Sequence, residues 1–321
     1  MLRIIGVIVL IILVFALLGV GVSAAYHRYQ LSREGQAYPP WGEMVEVDGQ
    51  QLHVYTEGQG DHTLVFLAGH GTSNPTIDFK PLWMHLTDQY QIAVVERNGY
   101  GWSEATNSPR DLNTMLQETR QALKAAGVTG PYILLPHSMS GLEAIHWAQE
   151  YPDEVGAIIG LDPTTPKVIK ALPEPSKIEL YTTYLISRIG LSRFMPREDL
   201  EKNFPILATE ALTEKEKQEY AAVFYRSFLT GPMLREIDFL EENAGIVDQR
   251  EAPKNTPMLF FISKDQDNEI KGWKDLQTDY LSEIESSEYV ELKTGHYLHH
   301  EKGEVMAEKI KGYIASLPWD R

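Results

Sequence analysis

This 321-residue sequence predicts an α/β fold: a mostly parallel central sheet flanked by helices, with an inserted helical cap and an N-terminal transmembrane helix. Three observations carry that expectation. Short apolar runs bounded by turn residues alternate with helical patterns, as strands buried on both faces and covered by crossover helices do. The interval 164–255 breaks the alternation with helical patterns and no convincing strand. The chain also opens on an apolar run from Ile4 to Val22 that carries no charge.

Taken in order, Ile4 to Val22 is long enough at about 1.5 Å per residue to cross the hydrocarbon core of a bilayer. It lacks the polar residues at helical spacing of a soluble core helix. The rival is a cleaved signal peptide. Val22, Ser23 and Ala24 suit a cleavage site, but the run exceeds the roughly 7 to 15 apolar residues usual there. An uncleaved anchor over 1–25 is expected. A linker over 26–43 follows, where Gly35 and then Pro39-Pro40 interrupt a polar stretch. Met44 to Val47 and Gln51 to Thr56 alternate around Asp48-Gly49-Gln50, a hairpin signal. Strands are expected at Thr63 to Leu67, Ile92 to Glu96, Tyr132 to Leu135, Ala157 to Leu161 and Met258 to Ile262. Helices are expected at Phe79 to Leu86, Leu112 to Ala126, Met139 to Gln149 and Glu304 to Ala315. The core therefore spans 44–163 and 256–321, with 164–255 as the cap. Within the cap, Thr213 and Glu216 fit a capping box, and Tyr181, Tyr184, Leu185 and Ile189 form an apolar stripe suited to packing.

Composition excludes several kinds of function. With 29 Lys+Arg against 45 Asp+Glu the net charge is −16. Setting aside Arg3, Arg28, Arg33 and Glu34 leaves 26 basic and 44 acidic residues, so the chain beyond residue 35 carries −18. Such a body repels nucleic-acid phosphates. The absence of cysteine excludes disulfides, thiolate metal sites and a cysteine nucleophile. Chemistry falls to serine, histidine and carboxylates.

Tyr132-Ile-Leu-Leu-Pro136-His137-Ser138-Met139-Ser140-Gly141 runs from an apolar strand through a serine with small neighbours into a helical pattern. It resembles the nucleophile elbow of the α/β-hydrolase family, with Pro136 and Ser140 in place of the two usual glycines. Three further segments match that family in chain order. Phe66-Leu-Ala68-Gly69-His70-Gly71 resembles its oxyanion loop, Glu96-Arg97-Asn98-Gly99-Tyr100-Gly101-Trp102-Ser103 is similar to a scaffold loop, and Thr294-Gly295-His296 precedes the last helix. The resemblance covers about residues 44 to 318. It implies Ser138 as nucleophile, His296 as base, and an acid for which Asp267 is favoured, with Asp162 at an earlier strand end the main rival and Asp265 behind it. The backbone N–H groups of Met139 and His70 would form the oxyanion hole, with Thr72 the alternative to His70. His137 is expected to pack beneath the elbow.

A serine hydroxyl needs an imidazole to take its proton, and the imidazole needs a carboxylate to fix its tautomer. The resemblance therefore implies a serine hydrolase cleaving an ester or related acyl bond of a small-molecule substrate. The alternatives are a proline-iminopeptidase-like aminopeptidase, a carbon–carbon bond hydrolase, or a non-catalytic small-ligand-binding envelope protein. Serine at position 138 disfavours the epoxide hydrolase and haloalkane dehalogenase branches, which need a carboxylate there. No cofactor is expected, and no metal, since His296, His299, His300 and Glu301 match no zinc spacing. The expected location is the cell membrane, crossed once, with the catalytic body outside.

Overall fold

The computed structural model describes residues 2–173 and 175–319. Its first helix, α1 (Leu2–Ala37), is continuous. The part up to Val22 stands clear of the body and is long and apolar enough to be a candidate membrane span. The linker expected over 26–43 is largely replaced by this helix. Ser23 and His27 are buried against the cap and Glu34 is ion-paired there, so tertiary contacts hold the helix through Gly35 and the chain turns only near the two prolines.

The sheet has eight strands in the order β1-β2-β4-β3-β5-β6-β7-β8. β1 (Glu43–Val47) and β2 (Gln50–Glu57) form a hairpin whose turn residues Asp48 and Gly49 both have positive φ, 50° and 78°. That is the conformation a two-residue primed turn demands. β2 joins β4 antiparallel, and every later pairing is parallel. The parallel strands are β3 (Thr63–Leu67), β4 (Gln91–Glu96), β5 (Tyr132–Pro136), β6 (Val155–Leu161), β7 (Met258–Ser263) and β8 (Ser287–Leu292). β8 was not expected. It is a largely exposed edge strand without an apolar run to announce it.

Strand period decides the two cores. Val65, Leu67 and Leu134 face one side with α4 (Leu112–Ala125), α5 (Ser140–Glu150) and α12 (Trp273–Leu281). Leu64, Phe66, Ile133 and Leu135 face the other with α3 (Lys80–Trp83) and α13 (Leu298–Ser316). Of the helix expected at 79–86 only a single turn, α3, forms, preceded by another single turn, α2 (Pro75–Asp78), with Pro75 and Pro81 each in a first turn.

Between β6 and β7 lie α6 (Pro166–Ala171), α7 (Lys177–Arg188), α8 (Arg197–Asn203), α9 (Glu214–Ser227), α10 (Gly231–Asp238) and α11 (Leu240–Asp248), a helical cap inserted above the strand ends. Thr213 and Glu216 close the capping box that opens α9. Tyr220 and Phe224 pack with Ile206 and Leu207 in a separate small core. Tyr181 and Leu185, by contrast, stay exposed on α7.

Candidate active site

The strand-to-helix turn between β5 and α5 places Ser138 at φ 53°, a left-handed conformation that a non-glycine residue adopts only under constraint. The constraint is visible on both sides. The Ser138 carbonyl accepts the N–H groups of Gly141 at 2.9 Å and Thr164 at 2.8 Å. Gly141 must lack a side chain, because a Cβ there would lie 2.4 Å from the Thr164 carbonyl oxygen. Gly69 is required on the opposite side, where a Cβ would come within 2.8 Å of the Ser138 Cβ. The elbow is thus clamped between the β3 and β6 loops, with its serine partly exposed. Ser140 is fully buried, and its hydroxyl donates to the carbonyls of Leu67 and His137 at 2.7 and 2.8 Å. It holds the turn and does not face outward.

The β3 loop is positioned by the scaffold segment after β4. Arg97, directly after that strand, donates to the Ala68 carbonyl at 2.8 Å and to Glu143 at 3.2 Å. Burial works against its charge, but Glu236, Tyr100 and Glu143 keep its pKa raised. Burial lowers the His70 pKa, so the neutral ring donates Nε2–H to the Met233 carbonyl of α10 at 2.9 Å and ties loop to cap. The Thr72 N–H is turned to the Gly69 carbonyl at 3.4 Å, whereas the backbone N–H groups of His70 and Met139 have no acceptor among the described residues. Of the two registers considered for the loop, this leaves His70 as the free donor.

His296 sits between β8 and α13. Its Nδ1 lies 2.7 Å from Asp162 Oδ2, and its carbonyl is 3.2 Å from His137 Nε2. The His137 and His296 rings are 4.7 Å apart. Since His137 precedes Ser138, this contact brings His296 to the elbow. Burial drives the His137 pKa well below its usual value, so the ring under the elbow is neutral.

The favoured acid, Asp267, is corrected by this geometry. Asp267 lies exposed in a single 3₁₀ turn after β7 and spends its carboxylate on the Gly272 N–H at 3.0 Å, ahead of α12. Asp265 is exposed in the same turn. Asp162, which follows β6, has no exposed surface. Its Oδ1 accepts the Ser263 N–H at 2.9 Å, Trp273 Nε1 at 2.7 Å and Gln277 Nε2 at 3.2 Å, leaving Oδ2 for His296. Two of those three donors come from α12, a helix not expected from the sequence. The available signal was local: Asp162 closes an apolar strand directly ahead of Pro163.

Beneath the site, Asp78, His299 and His300 form a buried cluster. Asp78 holds His299 Nε2 at 3.0 Å and His300 Nε2 at 3.1 Å. The direct contacts account for the carboxylate, and the His299 ring packs 5.0 Å from that of His137. A cavity of about 710 Å³ adjoins the site, with His70, Gly71 and Tyr297 at one end and cap residues including Ile186, Leu191, Phe194 and Phe228 beyond.

A sequence profile of the family described as alpha/beta hydrolase fold matches residues 64–187. The uncharacterized protein YbdG of Bacillus subtilis is 34% identical over 281 residues, 85% of this chain and 86% of that one. A 2-(acetamidomethylene)succinate hydrolase of Mesorhizobium japonicum is 26% identical over 118 residues, 37% of this chain and 41% of its own. An esterase from Exiguobacterium antarcticum superposes with a TM-score of 0.64 at 18% identity, covering 86% of this chain and 100% of the esterase, a likeness of fold. Topology, elbow and relatives agree: the chain belongs to the α/β-hydrolase fold family.

Proposed function

We propose that this protein is a serine hydrolase that cleaves a carboxylic ester or related acyl bond through an acyl-enzyme. The observation that carries the reading is Ser138 on a left-handed elbow, with an imidazole whose far nitrogen is held by a buried carboxylate lying across the preceding residue. Ser138 Oγ attacks the acyl carbonyl while His296 Nε2 takes its proton. Asp162 fixes the proton on Nδ1 and stabilises the imidazolium. The N–H groups of His70 and Met139 receive the charge that develops on the carbonyl oxygen. His296 then protonates the leaving group, and water, deprotonated by the same ring, releases the acid and restores Ser138.

A serine rather than a carboxylate at position 138 favours this chemistry over dehalogenation or epoxide opening, both of which begin with attack by a carboxylate nucleophile and form an ester with it. We also propose that α1 remains attached and spans the membrane, with the body outside and Arg3 marking the inner end of the apolar run. The reading is tested with a fluorophosphonate probe on the full-length protein. Labelling should be lost in Ser138→Ala and kept in Ser140→Ala. A folded Ser138→Ala variant that still labels would overturn it.

A further inference from the structure

The apolar run of α1 ends at Val22, and the next residue is the first that is buried. Ser23 Oγ donates to the Ile189 carbonyl at 2.8 Å, at the C-terminal end of α7. One turn later His27 fills the space over Gly190, whose φ of 77° suits a glycine. Arg193 then donates to His27 Nδ1 at 2.8 Å and, through both terminal nitrogens, to Glu34 at 2.6 Å. Tyr26 stacks on Phe194 with centroids 6.4 Å apart. The segment from Ile189 to Phe194 is therefore pinned within one or two helical turns, about 5 to 10 Å, of the end of the apolar run.

The helix leading into that segment has two apolar sides. Ile178, Tyr181 and Leu185, spaced three and four apart, share one face of α7 and are 83%, 50% and 58% exposed. Thr183, Ile186 and Ser187 line the cavity beside the His70 loop. Leu191 and Phe194 also line it while remaining 42% and 64% exposed, which makes them its rim. An exposed apolar face of this kind marks an interaction surface. Its continuity with the spanning helix, together with Tyr26, Tyr29 and Tyr181 as aromatics of the kind found at bilayer boundaries, specifies the partner.

We propose that the α7 face of the cap rests in the bilayer from which α1 emerges, and that the cavity behind it takes long-chain acyl groups directly from that leaflet. The acyl assignment rests on the serine-hydrolase reading above, whereas the membrane contact stands independently of it. A chain sliding past Leu191 and Phe194 would reach the His70 loop along an apolar path, which matters because every methylene exposed to water on the way would oppose the transfer.

The full chain contains no cysteine, so each introduced one is unique. Ile178→Cys, Leu185→Cys and, on α4, Lys124→Cys would each carry a nitroxide in protein reconstituted into phosphatidylcholine vesicles. The labels at 178 and 185 should collide preferentially with oxygen, and the label at 124 with an aqueous nickel chelate. Aqueous exposure at 178 and 185, or dipolar coupling showing that a second copy covers them, overturns the contact. In parallel, the double variant Ile178→Asp/Leu185→Asp should hydrolyse a long-chain monoacylglycerol embedded in the vesicles on the order of tenfold more slowly, with a soluble butyryl ester unaffected. Equal loss on both substrates, or no loss on either, overturns delivery from the leaflet. If the unmodified protein hydrolyses neither ester while the labels lie in lipid, the acyl assignment falls and the membrane contact is upheld.

Discussion

Replacing Asp162 by Asn changes one atom, and the surroundings dictate how the new amide sits. Oδ1 of Asp162 faces three N–H donors, from Ser263, Trp273 and Gln277. An amide group turned toward them would set donors against donors and leave buried groups unpaired, at about 1 to 3 kcal/mol each. The carbonyl oxygen must therefore stay on that side, which turns the NH₂ group toward His296 Nδ1. Nδ1 then has to accept, the imidazole proton moves to Nε2, and the ring can no longer take a proton from Ser138. The expected loss in turnover is on the order of 10⁴, about 5 kcal/mol of transition-state stabilisation, with substrate binding little altered. Single-turnover acylation with a chromogenic ester, at equal concentrations of folded protein, measures it. Asp267→Asn in the same assay should stay within a few-fold of the parent, because Asp267 holds only the Gly272 N–H in an exposed turn. The reverse ranking would refute the assignment of the acid to the end of β6.

Three other outcomes follow from the same contacts. Gly141→Ala should destabilise the fold by about 1 to 3 kcal/mol, read as a shift in denaturant midpoint, because its Cβ meets the Thr164 backbone at 2.4 Å. An unchanged midpoint would show that the elbow is not clamped there. Stability should also fall with acid. Burial, and next the neighbouring His300, lower the His299 pKa to about 4, and burial lowers His137 as well. Both rings are neutral when folded but take up protons in the unfolded chain below about 6.5. Their contribution is complete above that pH and is lost as pH drops toward 4, at up to about 1.4 kcal/mol per unit per ring. Urea titrations from pH 7.5 to 4.5 check this, and a flat profile argues against it. Finally, protease added to intact spheroplasts should digest the body and leave α1 in the membrane. A protected body places it in the cytoplasm, and a soluble product starting near Ala25 identifies a cleaved signal.

The buried strands and the strand-to-helix elbow were legible in the sequence because each has a local cause. Burial on both faces writes itself as a short apolar run, as in β3 and β7, and a left-handed serine between strand and helix needs small residues close by, here Ser140 and Gly141. His296 was legible for a similar reason, since it stands in a turn directly before the last helix. The carboxylate was not. Asp162 and Asp267 both follow apolar strands, and what separates them is whether Ser263, Trp273 and Gln277 converge on one oxygen and leave the other for an imidazole more than a hundred residues away. The same holds for α1. Its apolar half is determined by composition alone, but residues 26–37, polar and interrupted by Gly35, read as a linker until Arg193 and Phe194 of the cap supply partners for His27, Glu34 and Tyr26. Local propensity is a property of a few neighbouring residues, whereas the partner of a buried charge, or of a polar helix end, is chosen by chain that arrives from far along the sequence.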